Sequence, residues 1–275
     1  MKFADYPADT VIAAGDILLK DGANGTKKVV GSDLPYAIFD GVPMMHNNIY
    51  RGAALGSTFT AAQKAAVSSG TFTGLWIGDY WTFSGVNWRI VDFNTYNYQT
   101  TVPHITLMPD TPINNSAMHS SLPGNGVQGL KNSALWGKID TYSTPFNAAF
   151  GDDHSLSVKQ VITSGWGKVE YEGITYGYAN NGALIIAKPL GIPSEFQIRG
   201  SNSRSVPVTG ATGYNSTSLR QFSLFNMGYS LGSSSFWLSD QTWPTYFSSY
   251  LSTLPGITEQ VVTTSSGVRP FYVLR

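Results

Sequence analysis

Hydrolytic or metal chemistry in this chain would have to be built from four histidines (His46, His104, His119 and His154) and four glutamates (Glu170, Glu172, Glu195 and Glu259), together with its aspartates. A metal pair on a helix needs ligands one turn apart, and no histidine stands four residues from another His or a Glu. His46 falls in a linker and His104 opens a strand, so both read as structural or surface histidines rather than ligands. A glycosidase needs two carboxylates facing each other across a sugar. Asp79, Asp92, Glu170 and Glu172 are the candidates for such a pair, and each also fits a solvated strand edge or turn. There is no G-x-S-x-G elbow and no phosphate-binding P-loop, and Gly124-Asn125-Gly126 has the composition of a plain loop. Asp152-Asp153 after Gly151 reads as a helix cap. With no cysteine, disulfides, thiolate nucleophiles and Cys-based zinc sites are excluded. No catalytic residue, no metal and no cofactor is assigned.

Aromatic side chains are the remaining chemical asset. The stretch FWLSDQTWPTYFSSY, residues 236–250, holds six aromatic residues in fifteen beside Ser, Asp and Pro. Flat rings stack on sugars and pack against protein partners, and neighbouring hydroxyls supply hydrogen bonds. Trp243, Tyr246, Phe247 and Tyr250 are therefore the expected ligand-facing set. The alternative is that these rings close a seam between subunits, where aromatics are also enriched. Elsewhere Trp76, Trp81, Trp88, Trp136 and Trp166 suit a core.

The 275 residues carry 17 basic and 17 acidic side chains, so formal net charge is zero and only 12% of residues are charged. Soluble domains average about 25% charged. A phosphate-binding surface needs clustered Lys and Arg, and disorder needs low hydrophobicity with high net charge. Neither describes a chain that is 42% hydrophobic and 13% aromatic, so nucleic acid is not an expected partner. The surface must be made largely of Ser, Thr, Asn, Gln, Gly and Tyr, a composition common on extracellular and virion β-rich proteins. The N-terminal stretch lacks the apolar core of a signal peptide. The longest apolar run, Ala183 to Ala187, is far short of the roughly 20 residues needed to cross a bilayer, so membrane insertion is not expected. The expectation is a protein made in a cytoplasm that reaches the outside, if it does, by assembly or lysis.

Several elements must position these residues. Asn24-Gly25 between Ile17-Leu18-Leu19 and Val29-Val30 predicts a small hairpin, and Ser32 to Ala37 a single helical turn. Residues 1–45 are too few to hold a core alone and read as a β-rich anchoring module, with a boundary near Pro43 to Asn48. Thr60-Ala61-Ala62-Gln63 is a capping box, opening a helix that Gly70 ends. Alternation in YWTF and VNWRIVDF about Ser84-Gly85 predicts an aromatic hairpin, followed by a strand over 104–108. Residues 133–150 predict two short helices split by Pro145, the second ended by Gly151. Ser155 to Thr163 predicts a further short helix, and strands and loops follow from Gly165. The fold class is α+β, with helices in the first half and irregular β in the second.

Three segments then resemble a known family. These are Ile49 to Phe93, Asn147 to Gly165, and the tail from Phe236 to Leu274. Arg51-Gly52, Leu55-Gly56, Ala62-Gln63-Lys64-Ala65-Ala66, Ile77-Gly78-Asp79-Tyr80-Trp81 and Trp88-Arg89-Ile90 match a block found in structural proteins of tailed bacteriophages. The ending, Trp237-Leu238 followed by Gly267-Val268-Arg269-Pro270, resembles C-type-lectin-like phage and bacterial domains. Ser239 stands where the family usually has Arg.

What the resemblance implies is an irregular C-type-lectin-like surface domain over residues 46–275, with Trp237 and Arg269 as structural anchors. Residues Ser239 to Ser266 would be the segment displayed between them. The implied protein is a non-enzymatic virion component, a capsid decoration or head fibre in preference to a tail adhesin. Its implied partners are other virion proteins (major capsid or tail subunits), further copies of itself as a homo-oligomer (a trimer being one option), and a host-surface glycan or protein. Two alternatives stay open: a glycan-degrading tail enzyme, and a purely structural collar or baseplate subunit.

The residues also set expectations for the scaffold. Trp81 and Trp88 should be buried against the helix that follows Thr60. Arg89 should find a carboxylate or carbonyl partner, with Asp79 and Asp92 as candidates. Arg269, in a closing strand, should be structural, because five guanidinium donors can tie several loop carbonyls.

Overall fold

The computed structural model describes residues 17–20, 27–30, 36, 39–120, 130, 133–171, 174–200, 220–230, 234–243, 246–251 and 256–275. It is an α+β protein whose described strands form two five-stranded sheets and two separate two-stranded ribbons.

The small ribbon pairs β1 (Ile17–Lys20) with β2 (Lys27–Val30), antiparallel, Lys20 opposite Lys27. The expected Asn24-Gly25 turn itself, and most of the expected turn over 32–37, lie outside the described residues. The chain from Tyr36 onward contributes to the main body. Tyr36 packs edge-on to Trp76 and donates its hydroxyl to the Tyr50 carbonyl, while Asp40 accepts the Gly74 N–H. The stretch expected as a boundary, Pro43 to Asn48, thus includes a buried residue, His46, whose ring stacks on Trp76.

Helix α1 (Ala61–Ser69) forms where the capping box predicts it. Thr60 Oγ1 accepts the Gln63 N–H, Gln63 Oε1 accepts the Thr60 N–H, and Gly70 closes the helix in the left-handed region at φ 73°. The first large sheet has the order β3–β4–β5–β14–β9, built from Tyr80–Phe83, Val86–Phe93, Ile105–Pro109, Phe271–Leu274 and Leu190–Gly191. Ser84 and Gly85, both at positive φ, turn β3 into β4 as a two-residue hairpin. β5 and β14 are buried at every residue, the pattern of strands covered on both faces.

Residues 133–150 form α2 (Ala134–Gly137), a 3₁₀ turn (Ile139–Tyr142) and α3 (Ser143–Phe150), ended by Gly151. The expected break at Pro145 does not occur. Pro145 lies in the first turn of α3, where its missing N–H has no intrahelical partner to lose. α3 covers one face of the first sheet. Phe146 stacks on Tyr272 and meets Trp88 edge-on, and Phe150 packs edge-on against Trp81 and Phe83.

The helix expected over Ser155 to Thr163 is a strand. β7 (Val158–Tyr171) pairs along its length with β8 (Ile174–Lys188), and the β-branched run Val161-Ile162-Thr163 suits that extended ladder. Nor are helices confined to the first half, since α4 (Glu195–Arg199) and α5 (Ser223–Asn226) lie in the second.

The second large sheet has the order β12–β11–β10–β13–β6, from Gly256–Val261, Tyr246–Leu251, Phe236–Trp243, Ser265–Val268 and Asn114–Ala117. The chain passes from this sheet to the first through Arg269-Pro270, so these residues form the joint between two strands. Arg269 is not inside one closing strand as expected. Proline suits that place because a strand start needs no ladder donor.

Candidate functional site

The expected ligand-facing segment is the β10–β11 hairpin. Its register pairs Phe236 with Tyr250, Trp237 with Ser249, and Trp243 with Tyr246, with irregularities between Trp237 and Trp243. β12 then pairs with β11 without interruption. The side chains of Trp243, Tyr246, Phe247 and Tyr250 lie outside the described set. The backbone puts Trp243 and Tyr246 at the turn end, away from the base at Phe236 to Leu238.

That base is firmly held. Phe236, Trp237 and Leu238 are fully buried, and the Trp237 indole N–H donates to the Ser116 carbonyl on β6 at 2.7 Å. Arg269 is also buried, its guanidinium 5.2 Å from the centre of the Phe236 ring. Gly267 explains its own place in the Gly-Val-Arg-Pro sequence. Its N–H donates to the Ser235 carbonyl, and a Cβ there would stand 2.5 Å from that same oxygen. Both ends of segment 239–266 are therefore tied into packed backbone.

The charged residues of the Arg51–Phe93 block form a different kind of constellation. Arg51 donates through Nε and Nη2 to both oxygens of Asp79, at 3.0 and 2.6 Å. Asp79 is fully buried and also accepts the backbone N–H groups of Ala53 and Trp76. Burial raises the Asp79 pKa, opposed by Arg51 and by these N–H groups. Gly78 is fixed by the same fold, since a Cβ there would meet the Tyr50 ring at 2.2 Å.

Arg89 does not pair with Asp79 or Asp92. Its partners are Asp110, contacted through Nε at 2.6 Å and Nη2 at 2.5 Å, and the Gly78 carbonyl. Its guanidinium lies between the Tyr80 and Tyr229 rings, at 4.7 and 5.1 Å from their centres. Asp92 instead binds Arg220 and accepts the Ser223 hydroxyl at 2.8 Å. Burial raises its pKa against the pull of Arg220. An extra residue in β4, opposite the Leu107–Thr106 step of β5, lets Arg89 and Asp92 both turn toward the α5 segment despite odd spacing.

Trp81 and Trp88 are buried, at 0% and 1% exposure. Trp81 meets α1 through its indole N–H on Gln63 Oε1. Trp88 packs on Phe146 of α3, a different helix from the one expected.

His46 and His104 share one arrangement. In each, Nδ1 reaches a carbonyl (Leu75 and Val102) while Nε2 accepts a backbone N–H (Gly41 and Tyr96). That pattern fixes the neutral tautomer protonated at Nδ1, and burial lowers both pKa values below the ordinary imidazole range. Asp79 and Asp92 are not brought together as a catalytic pair, because each is bound by its own arginine. Glu172 and the Glu170 side chain lie outside the described residues. Asp152–His154 form a 3₁₀ turn rather than a cap of a following helix.

One cleft was not foreseen from sequence. It measures about 330 Å³ and is walled by Met44, Asn48, Asn94, Asn97, Arg220 and Ser223, with Pro43, Asn47 and Phe93 completing it. Its lining comes from three segments far apart in the chain, so no local motif announces it.

Fold and site together define an α+β protein with a densely packed sheet and a hairpin held at its base. Comparison with models of protein families, with curated proteins and with solved structures found no match. Among the described residues no helix is long and apolar enough to cross a membrane.

Proposed function

We propose that the chain is a non-enzymatic structural protein on the surface of a tailed-phage particle, carrying a C-type-lectin-like domain that displays an adhesive hairpin. A capsid decoration or head fibre is the preferred position, with residues 1–45 as the anchor to the particle. One observation carries the reading. Trp237 and Arg269, the two anchors of the family-like ending, are buried at the base of the segment that runs between them. On this reading the base holds the segment and the distal residues supply the chemistry of adhesion. The glycan-degrading alternative draws no support from Asp79 and Asp92, each engaged by an arginine. Weak single-site affinity would suffice, since many copies on one particle add avidity of about 10²–10⁴.

The test is a particle carrying Trp243→Ala and Tyr246→Ala. Adsorption to cells should fall while assembly and oligomeric state stay intact. Loss of assembly, with unchanged adsorption per assembled particle, would assign the segment to a subunit seam instead.

A further inference from the structure

The cleft between the 43–48 segment, the 93–97 turn and α5 has a chemistry that selects a ligand. Known small-molecule sites span about 300–1,000 Å³, so a volume of about 330 Å³ places this one at the small end, with room for one substituted ring. Its one charged lining residue is Arg220. The charge is already matched, because Nε and Nη2 lie 3.1 and 2.8 Å from an oxygen of the fully buried Asp92, and Nη2 also donates to the Phe93 carbonyl. The pair sums to zero, so the cleft carries no net attraction for an anion. The Arg220 side chain nevertheless remains 42% exposed, which leaves its Nη1 group to donate to a guest.

The amides divide into those committed to the fold and those with capacity left. Asn47 is spent entirely on the Phe93 backbone, donating to its carbonyl and accepting its N–H. Asn94 uses Oδ1 to accept the His104 N–H, leaving its NH₂ group. Asn48 donates Nδ2 to the Met44 carbonyl, leaving its oxygen. Ser223 gives its proton to Asp92 and keeps its acceptor lone pairs. Asn97 is exposed at the mouth. At the rim stands Met44, an apolar side chain 82% exposed, next to Pro43. The cleft therefore offers neutral donors and acceptors side by side, with an apolar strip along one edge. A hydroxyl is both donor and acceptor, and a pyranose combines several hydroxyls with a C–H face.

We propose that this cleft binds a single neutral saccharide ring, with Arg220, Asn94 and Asn97 as donors, Asn48 and Ser223 as acceptors, and Met44 against the C–H face. None of the β10–β11 residues lines it, so it is a second site, independent of the hairpin.

The experiment titrates the full chain, labelled with ¹³C on its methionine methyls, with a panel of neutral methyl pyranosides (gluco, galacto, manno and 2-acetamido-2-deoxy-gluco). Glucuronate and inorganic phosphate are the charged comparisons. At least one neutral glycoside should shift the Met44 methyl signal saturably, with a Kd on the order of millimolar. Glucuronate should bind no tighter, and phosphate should leave the signal unmoved. Asn97→Ala, an exposed change that leaves the Arg220–Asp92 pair intact, should weaken the response about tenfold at unchanged Tm. Absence of a saturable shift across the panel would overturn the proposal, as would tighter binding of glucuronate or phosphate, or an unaltered Kd in Asn97→Ala. The readout is ligand binding by the isolated chain, so its failure leaves the virion reading standing, and failed particle adsorption leaves this one standing.

Discussion

The two five-stranded sheets solve the problem of polar residues in opposite ways. In β3–β4–β5–β14–β9 nearly everything is covered, and the charges that enter are matched: Asp79 by Arg51, Arg89 by Asp110, Asp92 by Arg220. Leaving any one of these unpaired would strand a buried charge. Among the described side chains of the sheet β12–β11–β10–β13–β6, the buried ones include Phe236 to Leu238 on β10, Ser249 on β11 and Val268 on β13, while edge strand β6 is exposed to half-buried and built from Asn, Ser and Ala. The first sheet is covered along most of its length; the second is held at its base by Trp237 and Arg269. On the proposed function, scaffold and display fall in different sheets, and substitutions should separate them.

The largest effects belong to the first sheet. Trp81→Ala and Trp88→Ala should each cost about 3–5 kcal/mol in chemical unfolding, because each empties a fully covered site against α1 or α3. A loss below about 1 kcal/mol would mean that the sheet relaxes around the void and that the contrast between the sheets is wrong.

Arg269→Lys, at the joint, should cost about 1–3 kcal/mol, since one ammonium cannot reproduce the planar guanidinium beside Phe236. Wild-type stability with altered adsorption would move Arg269 from scaffold to display.

A smaller effect follows from pH. His46 and His104 are held neutral, with pKa values lowered by burial. The unfolded chain therefore takes up protons first as pH falls through about 6.5. Their contribution is complete above that value and declines below it, while Asp79 and Asp92, with raised pKa values, act in the opposite sense at lower pH. Denaturant midpoints between about pH 7.5 and 5.5 should fall with pH, and His46→Gln with His104→Gln should flatten the slope. A slope unchanged in that double variant would remove both histidines from the balance.

The parts of this design that are local were legible in sequence. The Thr60–Gln63 box, the Ser84-Gly85 hairpin and the burial of Trp81 and Trp88 follow from spacing and alternation. Non-local partners were not legible. Asp110 pairs with Arg89 across 21 residues and Arg220 with Asp92 across 128, and a bulge in β4 changes which side chains share a face. The helix expected over Ser155 to Thr163 fails because a short apolar run carries no decisive period, and pairing with β8 makes Val158 onward a strand. The cleft at Asn97 and Arg220 was invisible for the same non-local reason. The residues of the Arg51–Phe93 block that looked distinctive (Arg51, Gly78, Asp79, Trp81) prove to be packing and pairing residues. Their spacing therefore speaks for scaffold, and the proposed display role rests on the hairpin alone.

The central claim is tested most directly by a reconstruction of the assembled particle that locates this chain. The account predicts density on the outer capsid surface, with residues 1–45 against the lattice and the Trp243–Tyr246 end of the hairpin facing solvent. A position inside a collar or baseplate, with that end buried between subunits, would contradict it.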